Sequence, residues 1–294
     1  MNRLTYKIII FMLVESLLFL WSTPLSAQNT AEMKQSMSAG YAPVNGIKMY
    51  YEVYGEGNIP LILIHGGGST IETSFGNLLP LLHDYGKIIA VELQAHGRTT
   101  DRNKPETFEQ DADDVAALIK FLKLEKVNIL GFSNGGTTTL QIAIRHPEVV
   151  NKIVAISASY KRDGLISGFF DGMKNASLDN MPAPLKKGFL DVNPSQKGLQ
   201  TMFEKDKNRM INFKDYDDEA IKFVKAKALF IVADNDVITI EHTVKMSRMV
   251  SGSQLAVLPG VHGSCIGEVC VNIEGSKIPE ATSLLIKEFL NEQH

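Results

Sequence analysis

The sequence predicts an α/β fold: a mostly parallel sheet of roughly eight strands, helices on both faces and a helical insertion after the sixth strand. Three observations lead there. Short apolar runs recur at 60–64 (PLILI), 87–93 (KIIAVEL), 127–130 (VNIL), 152–157 (KIVAIS), 228–233 (ALFIVA) and 254–258 (QLAVL). Each is built on consecutive apolar residues, as strands buried on both faces are. Stretches with helical spacing fall between them, and such alternation dictates parallel pairing through crossovers. Between 159 and 226 the rhythm stops, in a lysine-rich segment with Pro182, Pro184 and Pro194 whose apolar residues still recur.

At the N-terminus, Arg3 and Lys7 precede an apolar run over 8–21 and a small-residue stretch ending at Ala27, the pattern of a signal peptide spanning 1–27. A secreted or periplasmic protein is expected. The apolar run is interrupted by Glu15 and short for a membrane span, so no stable membrane insertion is expected after signal removal. Residues 28–41 are polar and aperiodic and read as a flexible lead, with the folded domain at 42–294 and its insertion at 159–226. Asn45-Gly46 inside the alternating stretch 43–54 predicts an opening hairpin of two antiparallel strands. A helix is expected around 75–82. Thr107 and Gln110 have capping-box spacing at the start of the next helix, which buries Val115, Leu118, Ile119 and Leu122. Its Asp111, Asp113 and Asp114 suit the positive end of the helix dipole and read as a solvated helix start rather than a metal site. Helices are further expected at 138–146, at 169–173, 185–190 and 199–210 within the insertion, and at 241–250 and 278–290.

Gly131-Phe132-Ser133-Asn134-Gly135 separates the 127–130 strand from the 138–146 helix. In that context G-x-S-x-G is a nucleophile elbow, a turn that needs residues without side chains so that strand and helix can approach. Alone, the string also fits a glycine-rich loop whose serine caps a helix, so the rest of the chain decides. A serine hydroxyl needs a base, and an imidazole needs a carboxylate to hold its tautomer. After the elbow, one strand ends in Asp234-Asn235-Asp236 and the next leads into His262. Of seven histidines, His294 is terminal, His83, His146 and His242 read as surface groups on or beside helices, and His65 and His96 precede the serine. His262 is the expected base. Asp236 is the expected acid, and Asp234, nearer the strand, is expected only to shape the turn. The Asn134 N–H at the helix start and an N–H of the Gly66–Gly68 turn, that of Gly67, are the expected oxyanion donors.

Composition narrows the alternatives. The chain of 294 residues is 44% hydrophobic and 21% charged with net charge −3, ordinary globular usage without the basic stripe that nucleic-acid binding needs. No metal and no cofactor is called for. Cys265 and Cys270 fit either a disulfide in an oxidising compartment or a pair of free thiols. Oligomeric state is not legible.

The motifs His65-Gly66-Gly67-Gly68, ELQAHGRT at 92–99, GFSNGG from Gly131, ADND from Ala233 and the glycine-flanked His262 resemble the α/β-hydrolase superfamily, from residue 42 to the C-terminus. The resemblance implies the α/β-hydrolase fold, with the insertion as a helical cap roofing the site. It also implies a Ser133-His262-Asp236 acyl-enzyme mechanism on a small-molecule ester or lactone. A serine at 133 separates the chain from epoxide hydrolases and haloalkane dehalogenases, which use aspartate there. Carbon–carbon bond hydrolases and cofactor-free perhydrolases or haloperoxidases use the same triad and stand as alternatives. Gly263 occupies the position where carbon–carbon hydrolases usually carry tryptophan. A ligand-binding receptor with vestigial hydrolysis is the alternative of another class.

Overall fold

The computed structural model describes residues 37–292. The 1–27 signal reading and the first part of the 28–41 lead lie outside the described residues. The last part of that lead is not flexible coil: β1 (Ser38–Val44) begins inside it and pairs with β2 (Ile47–Tyr54) from Ser38↔Val53 to Val44↔Ile47. Asn45 and Gly46 close this hairpin with φ of +43° and +88°, the left-handed values a two-residue turn requires.

The chain continues through β3 (Leu61–Ile64), α1 (Ile71–Phe75), β4 (Ile88–Val91), α2 (Phe108–Phe121), β5 (Val127–Phe132), α3 (Asn134–Arg145) and β6 (Val150–Ile156). Then come α4 (Phe169–Asn175), α5 (Ala183–Val192), α6 (Gln196–Ile211) and α7 (Asp218–Lys222), followed by β7 (Lys227–Asn235), α8 (Ile240–Met249), β8 (Gln254–Val261) and α9 (Ile278–Asn291). The eight strands form one sheet in the order β1-β2-β4-β3-β5-β6-β7-β8, antiparallel as far as the β2–β4 pair and parallel thereafter. The 75–82 helix resolves into α1, which ends at Phe75, and a separate 3-10 turn at Leu79–Leu82.

Period-two alternation divides the core. Ile62, Ile64, Ile153, Ala155, Phe230 and Val232 face the layer containing Val115, Leu118 and Ile119 of α2. Their neighbours Leu61, Leu63, Val154, Ile156, Leu229 and Ile231 face the layer of α1 and α9 with Phe75, Ile286 and Phe289. The segment between β6 and β7 has a small core of its own, made of Met181, Leu185, Phe189, Leu199 and Met202.

Several local readings change in tertiary context. The Thr107 side chain accepts from the Gln110 N–H, but the Gln110 side chain turns to Asp114 instead of closing a capping box. Asp111 and Asp114 are not solvated. Both are buried, and they bind Arg209 and Arg102. Cys265 and Cys270 are free thiols, correcting the possible disulfide. Cys265 is buried with the α9 layer whereas Cys270 packs against the small core between β6 and β7, so the side chains enter different clusters. His242 is no surface group: it is buried, its Nε2 accepts from the Tyr160 N–H at 3.2 Å, and burial lowers its pKa to about 4.

Candidate active site

The turn between β5 and α3 sets the site. Ser133 has φ +55° and ψ −119°, a backbone region that non-glycine residues avoid, and this conformation aims the side chain out of the sheet. The elbow closes only because its flanks lack side chains. A Cβ on Gly131 would lie 2.0 Å from the Gly135 carbonyl oxygen, and one on Gly135 would lie 2.1 Å from that of Ile64. Both contacts are with backbone, which cannot rotate away. Gly135→Ala is therefore expected to destabilise the fold by about 3 kcal/mol or more, the upper end of overpacking effects. A urea midpoint within experimental error of the parent would contradict this reading of the turn.

The loops after β7 and β8 bring the partners. His262 Nε2 lies 2.9 Å from Ser133 Oγ, and Nδ1 lies 2.6 Å from Asp236 Oδ1. The structure thus joins Ser133, His262 and Asp236 in one hydrogen-bonded line across 129 and 26 residues of sequence. Asp236 is buried, yet its carboxylate also accepts from Ser157 Oγ at 2.6 Å and the Ile238 N–H at 3.1 Å. Burial pushes its pKa up, but hydrogen bonds and charge from His262, with Ser157 and Ile238, outweigh that and hold it below the ordinary value. Asp234 accepts from the Gly260 N–H, a contact between the ends of the parallel strands β7 and β8 where their register shifts. Ser157 is not legible in sequence as a site residue, although its place at the end of β6, beside the elbow strand, is a signal.

In the His65–Ser69 turn, the Gly66 N–H donates to Ser74 Oγ and the Gly68 N–H to Asp206 Oδ2. Of these three glycines only Gly67 keeps an N–H with no protein acceptor among the described residues. Gly67 and Asn134 line the same cavity as Ser133 and His262, a space of about 350 Å³. Its walls are Phe169, Met173, Met181, Met202, Phe203 and Met210 from the β6–β7 segment, with Leu165, Val237 and Ile238. A larger cleft of about 820 Å³ runs along Lys104, Glu106, Asn208 and Lys214 and touches neither Ser133 nor His262.

Beneath the turn lies a buried ionic cluster that sequence reasoning missed. His96 Nδ1 is 2.8 Å from the Gln94 carbonyl oxygen and Nε2 is 2.9 Å from Asp206 Oδ2. Both nitrogens face acceptors, so both carry protons and the ring is an imidazolium. Burial alone would lower its pKa, but the charges of Asp206 and Glu106 raise it to about 9. His65 is the opposite case: one ring nitrogen faces the Gly66 carbonyl oxygen at 2.8 Å and the other accepts the Leu93 N–H at 3.0 Å. That ring is neutral, and burial together with the His96 charge pushes its pKa down to about 3. The available signal was charge on a buried stripe, since Asp206 and Arg209 lie between Met202 and Met210 on α6.

These two rings give opposite linkage. The folded pKa of His96 exceeds its unfolded value of 6.5, so its contribution is complete below pH 6.5 and lost as pH rises through about 9. For His65 the folded value is depressed, so protonation of the unfolded chain removes stability as pH falls from 6.5 toward about 3. Urea midpoints should therefore peak near pH 6.5, and His96→Gln should flatten the alkaline side. Midpoints in the parent protein that do not fall between pH 6.5 and 9 would count against the imidazolium assignment.

Comparison with known proteins agrees with this fold. A family model for the alpha/beta hydrolase fold matches residues 59–189. The serine hydrolase BPHL of Homo sapiens is 33% identical over 149 residues, 48% of this chain and 50% of that protein. The meta-cleavage product hydrolase of Pseudomonas fluorescens IP01 superposes with a TM-score of 0.70 at 22% identity, covering 85% of this chain and 97% of that one. The enol-lactonase of Burkholderia xenovorans LB400 does so with a TM-score of 0.67 at 18% identity, covering 86% and 100%. The chain spans about half the length of the curated relatives it matches. Together these matches support the α/β-hydrolase superfamily.

Proposed function

We propose that the chain is an exported serine hydrolase that cleaves a small carboxylic ester or lactone through an acyl-enzyme. The observation that carries it is the Ser133–His262–Asp236 line at 2.9 and 2.6 Å, opening on a mainly apolar cavity. Export rests on the sequence pattern of residues 1–27.

The geometry supports acyl transfer in two halves. Ser133 Oγ attacks the carbonyl carbon as His262 Nε2 takes its proton, while Asp236 stabilises the imidazolium and keeps Nδ1 protonated. The Gly67 and Asn134 N–H groups meet the oxyanion of the tetrahedral adduct. Collapse passes the proton from His262 to the departing alkoxide and leaves an acyl ester on Ser133. Water, deprotonated by His262, then attacks that ester, and collapse of the second adduct returns the proton from His262 to Ser133 Oγ and releases the acid. In a lactone both fragments remain joined, so the leaving hydroxyl stays tethered to the acyl chain.

Carbon–carbon cleavage by the same residues is the second reading. It is weighed down at Gly263, whose φ of +89° disfavours any L side chain and whose added Cβ would meet that of Glu268 at 3.0 Å. Tryptophan there would be strained. The test is a fluorophosphonate probe followed by parallel ester, lactone and vinylogous diketone assays. Mass addition on Ser133 that requires His262, with ester or lactone turnover, is the expected result. Diketone cleavage without ester turnover would replace the proposal by the second reading, and ligand binding with neither labelling nor turnover would point to a receptor.

A further inference from the structure

We propose that Asp206, from the helical segment between β6 and β7, is a positioning residue for the oxyanion site, tying the Gly66–Gly68 turn and the elbow to α6. The proposal rests on the serine-hydrolase reading above. Asp206 sits 138 residues from Gly68 in sequence, and its Oδ2 accepts the Gly68 N–H. Its Oδ1 lies 3.3 Å from Asn134 Nδ2, on the residue whose own N–H is the second oxyanion donor. One carboxylate therefore touches both halves of the site.

The corner has no slack. A Cβ on Gly67 would come 2.4 Å from Asn134 Nδ2 and 3.3 Å from Asp206 Oδ2. With the Gly68 N–H held by Asp206 and the Gly66 N–H held by Ser74, the peptide between them is oriented from both sides, which leaves the Gly67 N–H free for substrate. A turn rich in glycine costs conformational entropy to hold in one shape, and a fixed acceptor on each flank supplies that order before substrate arrives.

The carboxylate must be ionised to accept on both oxygens, and its charge must be balanced if it is not to disturb the developing oxyanion; its surroundings secure both conditions. His96 Nε2 reaches Asp206 Oδ2 at 2.9 Å, and the Arg209 guanidinium donates to Oδ1. Arg209 in turn meets Asp111 Oδ2 at 2.6 Å and Glu106 Oε1 at 3.5 Å, and Glu106 also lies 3.7 Å from His96 Nδ1. Two cations thus face Asp206, the one acidic side chain that lines the cavity among the described residues. Because Asp206, Arg209, Met202 and Phe203 share α6, the helix that helps wall the cavity also carries the acceptor of the oxyanion turn.

The test compares the parent protein with Asp206→Asn, which keeps shape and removes charge. Two ligands of equal chain length are used: an aliphatic trifluoromethyl ketone, which forms a tetrahedral oxyanion on the serine, and the matching methyl ketone, which does not. The expected result is a loss of about a hundred-fold in kcat, with KM changed by less than about threefold. Affinity for the trifluoromethyl ketone should fall in parallel, and affinity for the methyl ketone should hold. Should the single variant not fold, Asp206→Asn/Arg209→Met removes the charges as a pair and carries the same comparison. Unchanged kcat, or equal losses for both ketones, would overturn the proposal, because general loosening of the cavity does not distinguish them. A parent protein with no fluorophosphonate labelling and no trifluoromethyl ketone adduct would instead remove the serine-hydrolase reading, and this inference with it.

Discussion

Ser133→Ala is expected to lower ester turnover by about a million-fold while the protein remains folded. The size reflects the loss of the nucleophile itself. Among the described residues no other hydroxyl is held by His262, whose Nε2 lies 2.9 Å from Ser133 Oγ, so the acyl-enzyme route disappears entirely. Binding and the oxyanion donors acting on water survive, a residue of catalysis well above the uncatalysed rate. Alanine tolerates φ +55° no worse than serine does, and the Ser133 N–H bond to the Ile156 carbonyl oxygen is untouched, so the urea midpoint should stay close to that of the parent. Since residues acting as a unit are not additive, Ser133→Ala/His262→Ala should be scarcely slower than either single variant. Steady-state rates with an activated ester decide it. Turnover within tenfold of the parent would dismiss Ser133 as the nucleophile.

Asp236→Asn ranks second, at roughly a thousand- to ten-thousand-fold in kcat with little change in KM. The native carboxylate receives His262 and the Ile238 N–H on Oδ1, and Ser157 Oγ with the Ala233 N–H at 3.4 Å on Oδ2. An amide cannot satisfy this set. With its NH2 toward His262 it confronts the Ile238 N–H and forces the proton from Nδ1 to Nε2, where the base is needed. With its carbonyl toward His262 it keeps the tautomer but withdraws the charge that stabilises the imidazolium, and it sets two donors together at Ala233. Both arrangements leave Ser133 in place, so methyl ketone affinity should persist. A variant retaining a tenth of parental kcat would make Asp236 a structural acceptor only.

The parts of this protein legible in sequence are those whose signal is carried by neighbouring residues. Ser133 is readable because strand, turn and helix are contiguous there and a five-residue turn leaves few options. Asp236 and His262 are readable because each comes just after a strand of a parallel sheet, and the loops leaving such strands gather along one edge. Gly67 can be chosen by position, though the reason it is available, that Ser74 and Asp206 engage the two glycines flanking it, appears only in three dimensions.

Tertiary structure decided everything that depends on which groups meet a side chain from far along the chain. Asp111 and Asp114 look like residues placed for a helix dipole, yet partners from α6 and the loop after β4 bury them as ion pairs that outweigh the dipole. Two cysteines five positions apart stay unpaired because neighbouring turns send them into different apolar clusters. The charged corner of Asp206, His96 and Arg209 draws on two segments more than a hundred residues apart. Local sequence sets backbone preference and hydrophobic period; burial, charge pairing and the resulting ionisation are properties of the packed whole.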